Sequence, residues 1–124
     1  MGIDMLKGIR VLLVDDEEPF LEIVCEILTM DGLIADVASN TPRALQMLEE
    51  ANVPYSILMT DVNLTGISGI DLAVKAQQRK PDLKVIFITG TSRAPFPKNS
   101  LVLHKPFKRR ELQEMICTAL GIEL

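Results

Sequence analysis

Carboxylates follow two apolar runs in the 124-residue sequence. Asp15 and Asp16 come directly after residues 9–14 (IRVLLV), and Asp61 comes directly after residues 55–60 (YSILMT). Two carboxylates about 4 Å apart repel by roughly 4 kcal/mol at an effective dielectric near 20. If these acids meet in the fold, one of them must take up a proton, or a cation must bind among them.

A hydroxyl group and an ammonium group follow two further apolar runs. Thr89 ends the run at residues 84–89, and Lys105 follows the run at residues 101–103. Because ligands of an open α/β sheet bind at the carboxyl ends of its strands, we expect both side chains to lie near the acids. Lys105 would offset one negative charge and a divalent ion two more. Oxygen ligands favour Mg²⁺ over a transition metal.

This set of side chains predicts phosphoryl transfer. A carboxylate beside Mg²⁺ and a lysine can act as a nucleophile toward phosphorus. The charged oxygens of the phosphoryl group would contact the metal, Lys105 and the hydroxyl group of Thr89. Positioning and electrostatic stabilisation supply the catalysis in such a reaction.

The elements that must position these residues are alternating strands and helices. Strands are predicted at residues 9–14, 33–38, 55–60, 84–89 and 101–103. Helical patterns cover residues 19–31, a segment that starts at Thr41, and residues 69–80 and 107–120. Alternation of this kind predicts a parallel sheet with helices on both faces and right-handed crossovers.

Several residues mark the ends of the predicted helices. Gly32 and Gly121 follow helical patterns, where glycine commonly ends a helix. Thr41, which precedes a first-turn Pro42, is predicted as the N-cap of the second helix.

The connection between the fourth and fifth strands breaks the alternation. Only residues 90–100 are available, and Pro95 and Pro97 both resist the interior of a helix. After allowance for loops, roughly two helical turns could fit. We therefore expect the helix at this position to be short, distorted or absent.

Bulk composition limits the class of protein. Apolar residues make up 48% of the sequence and mean hydropathy is +0.24, so we expect one globular domain. The net charge of −4 argues against a nucleic-acid surface. No apolar run approaches the length of a membrane span. Cys25 and Cys117 lack the spacing of a metal site and suit a reducing cytoplasm, which is the predicted location.

Four stretches together resemble the receiver domain of response regulators in two-component signalling, the CheY-like superfamily. They are LLVDDEE, ILMTDVNLTGISGIDL, VIFITG and HKPF. Each is weak evidence alone, whereas their order at the predicted strand ends is specific. The resemblance implies a flavodoxin-like (βα)5 fold, a doubly wound α/β sheet of five parallel strands in the order 2-1-3-4-5. We expect one receiver domain over residues 1–124 and no output domain in this chain.

The resemblance also implies a metal site. Asp16 would bind Mg²⁺ directly, and Asp15 would bind it through water. Asp61 and the backbone carbonyl of Asn63 would complete the set of protein ligands. No other cofactor is implied.

The same resemblance assigns the phosphoryl site. Asp61 would be the phosphoacceptor, Thr89 the switch hydroxyl and Lys105 the ammonium that contacts the phosphoryl group. A cis peptide bond is common in the family between the residues at Lys105 and Pro106, and Gly69 matches the glycine that opens the third helix region.

The implied function is a phosphorylation-dependent signalling switch rather than an enzyme. A sensor histidine kinase or a histidine phosphotransfer protein would donate the phosphoryl group, and the domain would assist its own phosphorylation and dephosphorylation. Phosphorylation would then change binding to an unidentified downstream protein. Neither a nucleic acid nor a membrane is expected to be a partner of this domain.

Two positions depart from the family pattern. Thr65 stands where proline is usual, four residues after the phosphoacceptor, and Val102 stands where Tyr or Phe is usual, three residues before the lysine. In the family this aromatic side chain swings inward as the switch hydroxyl moves. Phe96 is a candidate substitute that the sequence does not establish.

Two alternative functions stay open at this point. One is a receiver-fold binding module that acts without phosphorylation, which the missing aromatic residue favours. The other is an aspartate-nucleophile phosphatase, because DVNLT at residues 61–65 resembles the DxDxT motif of haloacid-dehalogenase-like enzymes. Asn63 in place of the second acid, and the position of the motif after the third strand, argue against the phosphatase.

Overall fold

A five-stranded parallel sheet forms the centre of the molecule. The computed structural model describes residues 5–64, 67–90 and 95–123. The strands are β1 (Arg10–Val14), β2 (Ile34–Ala38), β3 (Ile57–Asp61), β4 (Lys84–Thr89) and β5 (Leu101–His104). Their order is β2-β1-β3-β4-β5, and every neighbouring pair is parallel. The predicted flavodoxin-like topology is confirmed.

Helices cover both faces of the sheet. Those in the described part of the chain are α1 (Glu18–Met30), α2 (Thr41–Glu50), α3 (Gly69–Arg79) and α4 (Arg109–Leu120). Val11 and Leu13 of β1 pack in one core with residues of α1 and α4, whereas Leu12 and Val14 pack in a second core with residues of α2 and α3. Alternate side chains of a strand point to opposite faces, so an almost continuously apolar strand fills both cores.

The glycines after α1 and α4 agree with the sequence, whereas the N-cap of α2 differs and α4 begins at Arg109 rather than at residue 107. Gly32 and Gly121 adopt φ of +88° and +70°, the left-handed conformation that favours glycine after a helix. The N-cap of α2 is Asn40 rather than Thr41, because the Asn40 Oδ1 accepts a hydrogen bond of 2.9 Å from the backbone N–H of Arg43. The prediction of Thr41 was wrong by one residue, since asparagine caps as well as threonine.

The connection between β4 and β5 contains no helix among its described residues, Gly90 and residues 95–100. This agrees with the expected loss of a regular helix, and residues 91–94 lie outside the described part of the chain. The half-buried ring of Phe96 lies 5.3 Å from the ring of Phe87, between ring centroids. Together with Val62 and Val102 these rings form a small third apolar cluster.

The sequence predicted no membrane span and two unpaired cysteines. None of the helices in the described ranges combines the length and apolar character needed to cross a membrane. Cys25 is half-buried, Cys117 is buried, and both are free thiols.

Candidate functional site

The parallel strands bring the predicted residues to one edge of the sheet. Asp15 follows β1, Asp61 ends β3, Thr89 ends β4, and Lys105 follows β5. Neighbouring strands are also in matching register at this edge, because Asp61 lies beside Ile88 and Thr89 lies beside His104. Residues that are far apart in sequence therefore share one small region.

Lys105 links two of the acids. Its Nζ donates a hydrogen bond of 3.0 Å to Asp15 Oδ2 and lies 3.4 Å from Asp61 Oδ2. The Asp15 side chain is completely buried, whereas the Lys105 side chain is 19% exposed. A lysine between two carboxylates neutralises one charge and leaves the pair with a net negative charge.

Two local hydrogen bonds fix the carboxylates. The Oδ1 of Asp15 accepts the backbone N–H of Glu17 at 2.9 Å, and the Oδ1 of Asp61 accepts the backbone N–H of Asn63 at 3.0 Å. Each bond spans two residues, the pattern of an Asx-turn. In both cases Oδ2 faces Lys105, so the turns orient the two carboxylates toward one ammonium group.

Burial and charge shift the pKa values of this group. Burial raises the pKa of Asp61, and the charge of Asp15 adds to the effect, against the opposing Asn63 N–H and Lys105. Burial lowers the pKa of Lys105, but the hydrogen bond and charge of Asp15, together with the charge of Asp61, outweigh it and the net shift is upward. Lys105 is therefore firmly cationic, and the site still disfavours the negative charge on Asp61.

Three carboxylates form a candidate metal site. Asp15, Asp16 and Asp61 each offer an oxygen atom, and these atoms lie within 4.8 Å of one another. Asp15 and Asp61 are buried, whereas Asp16 is exposed. With one of the three charges offset by Lys105, this all-oxygen set fits a hard divalent cation such as Mg²⁺.

Thr89 lies at the same edge and is completely buried. Its backbone carbonyl accepts a hydrogen bond of 2.8 Å from the N–H of Lys105. The peptide bond between Lys105 and Pro106 is cis, as the family resemblance implies. The ends of β4 and β5 are thus joined at the point where both predicted phosphoryl-contacting residues are located.

Gly69 allows the start of α3 to lie close to the backbone of Asp61, the predicted phosphoacceptor. A Cβ atom at Gly69 would overlap the carbonyl oxygen of Asp61 and lie 2.8 Å from its carbonyl carbon. The Gly69 N–H also donates to the carbonyl of Val62 at 2.9 Å. The helix therefore supports the backbone of Asp61 directly.

The sequence did not indicate the aromatic contact with Lys105. The Nζ of Lys105 lies 4.1 Å from the centroid of the Phe20 ring. Phe20 in turn meets the ring of Phe107 edge to face, with centroids 5.8 Å apart. The position of Phe20, four residues after Asp16, gave no separate signal in the sequence, because an ordinary apolar residue of α1 would occupy the same position.

The fold and this site define a response-regulator receiver domain of two-component signalling. Residues 11–117 match the family described as "Response regulator receiver domain", so the chain belongs to that family. Its members are phosphoacceptor signalling domains, which are generally not enzymes.

Individual proteins that resemble this chain in sequence are also response regulators or signalling kinases. The response regulator receiver protein CpdR of Brucella abortus (strain 2308) is 33% identical over 109 residues, which cover 83% of this chain and 89% of CpdR. The sensor kinase CckA of the same organism is 28% identical over 115 residues, which cover 88% of this chain and 12% of the kinase. The chain spans less than half the length of several other curated relatives, in contrast to CpdR.

A solved structure shares the fold of this chain. The response regulator protein TrrA from Thermotoga maritima, crystallised in complex with Mg²⁺-BeF, is 31% identical with a TM-score of 0.79. The superposition covers 89% of this chain and 97% of that chain.

The two departures from the family pattern have different outcomes. Val102 is half-buried and lies beside Phe87 in the register of β4 and β5. Phe96, in the loop between β4 and β5, packs on Phe87 and so supplies an aromatic ring near Val102. A role for Phe96 in switching stays a prediction. Thr65 lies outside the described residues.

Proposed function

We propose that Asp61 accepts a phosphoryl group and that Lys105 and Thr89 stabilise it. The observation that carries this proposal is the position of the Lys105 Nζ, 3.0 Å from Asp15 and 3.4 Å from Asp61, beside three clustered carboxylates. A neutral buried hydrogen-bond network would not need this concentration of charge. A site for a transferred phosphoryl group does need cationic and hydroxyl groups at its oxygens.

The transfer forms one bond and breaks another. A carboxylate oxygen of Asp61 attacks phosphorus, and an O–P bond forms as the N–P bond of a phosphohistidine donor breaks. The electron pair of that bond stays on the imidazole nitrogen. Lys105 contacts a phosphoryl oxygen through its ammonium group, and the hydroxyl group of Thr89 contacts another. The same groups would hold the acyl phosphate when water later attacks it.

The carboxylates of Asp15, Asp16 and Asp61 would hold Mg²⁺, and the backbone carbonyl of Asn63 would be a further ligand. When bound, Mg²⁺ would neutralise part of the negative charge of the phosphoryl group as the anionic donor approaches the carboxylates. The net negative charge that remains after Lys105 is counted supports this ligand set.

The proposed phosphoryl donor is a sensor histidine kinase or a histidine phosphotransfer protein, and the proposed receiver of the signal is a downstream protein of unknown identity. Similarity to a segment of the sensor kinase CckA supports a place in histidine-kinase signalling. The free thiols Cys25 and Cys117 support a cytoplasmic location.

Incubation with acetyl phosphate tests the proposed function. In the presence of Mg²⁺, intact mass spectrometry is expected to show one added phosphoryl group per chain. Excess EDTA is expected to abolish the modification, because the anionic donor then meets the carboxylates without the positive charge of the metal. An unmodified protein at saturating Mg²⁺ and acetyl phosphate would favour a binding module, and continued turnover of an external phosphate ester would favour a phosphatase.

Replacing Lys105 by methionine is expected to destabilise the metal-free protein by about 3 kcal/mol, because the buried carboxylate of Asp15 loses its cationic partner. The variant also removes the ammonium group that contacts the carboxylates of Asp15 and Asp61. Added Mg²⁺ is therefore expected to stabilise the variant more than the wild type. Urea unfolding in EDTA and in a series of Mg²⁺ concentrations measures both effects.

Lys75→Met is the matched control, since Lys75 is exposed on α3. It removes the same charge and is expected to change stability by less than about 0.5 kcal/mol. If Mg²⁺ stabilised all three proteins equally, the metal would bind somewhere other than beside Lys105.

A further inference from the structure

The ring of Phe20 contacts the ammonium group of Lys105, which also contacts two carboxylates. Its ring centroid lies 4.1 Å from Nζ, well within the range of a cation–π interaction. Phe20 is half-buried in the first turn of α1 and packs against the core shared by α1 and α4. Filling the core at this position does not require an aromatic ring, whereas a cation–π contact with Lys105 requires one.

A second aromatic residue fixes the orientation of the first. Phe107 meets Phe20 at an interplanar angle of 90° with centroids 5.8 Å apart, the favoured edge-to-face geometry. Phe107 is only two residues after Lys105, so the segment that carries the lysine also carries the ring that orients Phe20. The two rings border an apolar groove of about 460 Å³ that also touches Lys105 and Pro106.

We propose that Phe20 is a positioning residue for Lys105, held in place by Phe107. This inference rests on the proposed function of Asp61. The lysine side chain has a flexible four-carbon stem and a compact charge, so two carboxylates alone leave its ammonium group free to move between them. The face of the Phe20 ring adds a third contact and directs the ammonium group toward Asp61.

Positioning at this point affects the rate of phosphoryl transfer. Small displacements of a catalytic group cost large factors in rate, because the charge must meet the phosphoryl oxygens as the bond forms. The aromatic contact is also partly shielded from water, since the Lys105 side chain is only 19% exposed. Loss of the ring is expected to lower the phosphorylation rate about fivefold.

Substitutions that separate ring chemistry from core filling test the inference. Phe20→Leu keeps an apolar side chain and loses the ring, whereas Phe20→Tyr keeps the ring. We expect the phosphorylation rate with acetyl phosphate and saturating Mg²⁺ to fall about fivefold in Phe20→Leu and to stay near the wild-type rate in Phe20→Tyr. Ile27→Leu, a half-buried change in the same groove, is the matched control and is expected to leave the rate unchanged.

An NMR measurement reports on the contact without phosphorylation. In isotope-labelled protein in EDTA, the ring face is expected to shift the ε-methylene protons of Lys105 upfield in the wild type and in Phe20→Tyr. The shift is expected to disappear in Phe20→Leu, and a Lys105→Met sample assigns the signal. A residue that only fills the core would leave these protons unchanged.

The outcomes separate failure of this inference from failure of the proposed function. Equal phosphorylation rates in wild type and Phe20→Leu would overturn the positioning role, as would identical Lys105 shifts in the two proteins. A wild type that acquires no phosphoryl group would overturn the proposed function and this inference with it, even with the upfield shift present. A slower Phe20→Leu with a wild-type-like Phe20→Tyr would support the inference.

Discussion

Asp61→Asn is expected to lose phosphoryl incorporation completely and to be more stable than the wild type in metal-free buffer. The amide is not a nucleophile toward acetyl phosphate, so intact mass spectrometry should show an unmodified chain. The gain in stability has a separate cause. Burial and the charge of Asp15 raise the pKa of Asp61, which means that folding disfavours its carboxylate. A neutral side chain of the same shape removes that cost.

The sign of this effect gives it a pH dependence. The pKa of Asp61 is higher in the folded state than in the unfolded state, so its ionisation opposes folding at neutral pH and the opposition vanishes once both states are protonated. The stability advantage of Asp61→Asn is therefore expected to be largest near neutral pH and to shrink as the pH falls through the folded-state pKa. Urea unfolding in EDTA across the acidic range measures it.

Asp82→Asn is the control for net charge, because Asp82 is an exposed acid after α3. It should be phosphorylated like the wild type, with little change in stability. Undiminished phosphorylation of Asp61→Asn would assign the acceptor to another residue. A variant less stable than the wild type at neutral pH would show that the Asn63 and Lys105 contacts outweigh the burial cost.

The sequence was sufficient to predict the sheet and the edge at which the site lies. Parallel strands place all their carboxyl ends on one side, so Asp61 and Lys105 had to converge once their runs were assigned to strands. The strand signals were strong because β1 and β4 are almost continuously apolar, and most of their residues are buried. Topology therefore fixes which residues meet even though 44 positions separate Asp61 from Lys105.

Details that depend on side-chain geometry could not be predicted in the same way. The contact of Phe20 with Lys105 involves a helix position that any apolar residue could occupy, so periodicity cannot single it out. Asn40 and Thr41 are both good capping residues, and only the backbone conformation decides between them. The loop position of Phe96 has no periodic pattern, so its packing on Phe87 follows from tertiary structure alone.

Gly69→Ala sets two opposing effects against each other, and their magnitudes decide the result. Alanine in place of glycine usually favours a helix by about 0.5–1 kcal/mol, and Gly69 is the first residue of α3. Here the new Cβ atom would overlap the Asp61 carbonyl oxygen, a backbone atom that cannot rotate away. Overpacking of this kind costs about 3 kcal/mol, so we expect net destabilisation of about 2 kcal/mol by urea unfolding.

The displaced backbone is that of Asp61, the proposed phosphoacceptor. If α3 and Asp61 separate to admit the methyl group, the Asp61 carboxylate moves relative to Lys105, and phosphorylation by acetyl phosphate is expected to fall by about 100-fold. Gly90→Ala is the matched control for stability, because a Cβ atom there meets nothing within 4 Å and the backbone is not left-handed. Its stability should stay within about 0.5 kcal/mol of the wild type. If Gly69→Ala were as stable as Gly90→Ala and phosphorylated normally, the close packing of α3 on Asp61 would have no part in forming the site.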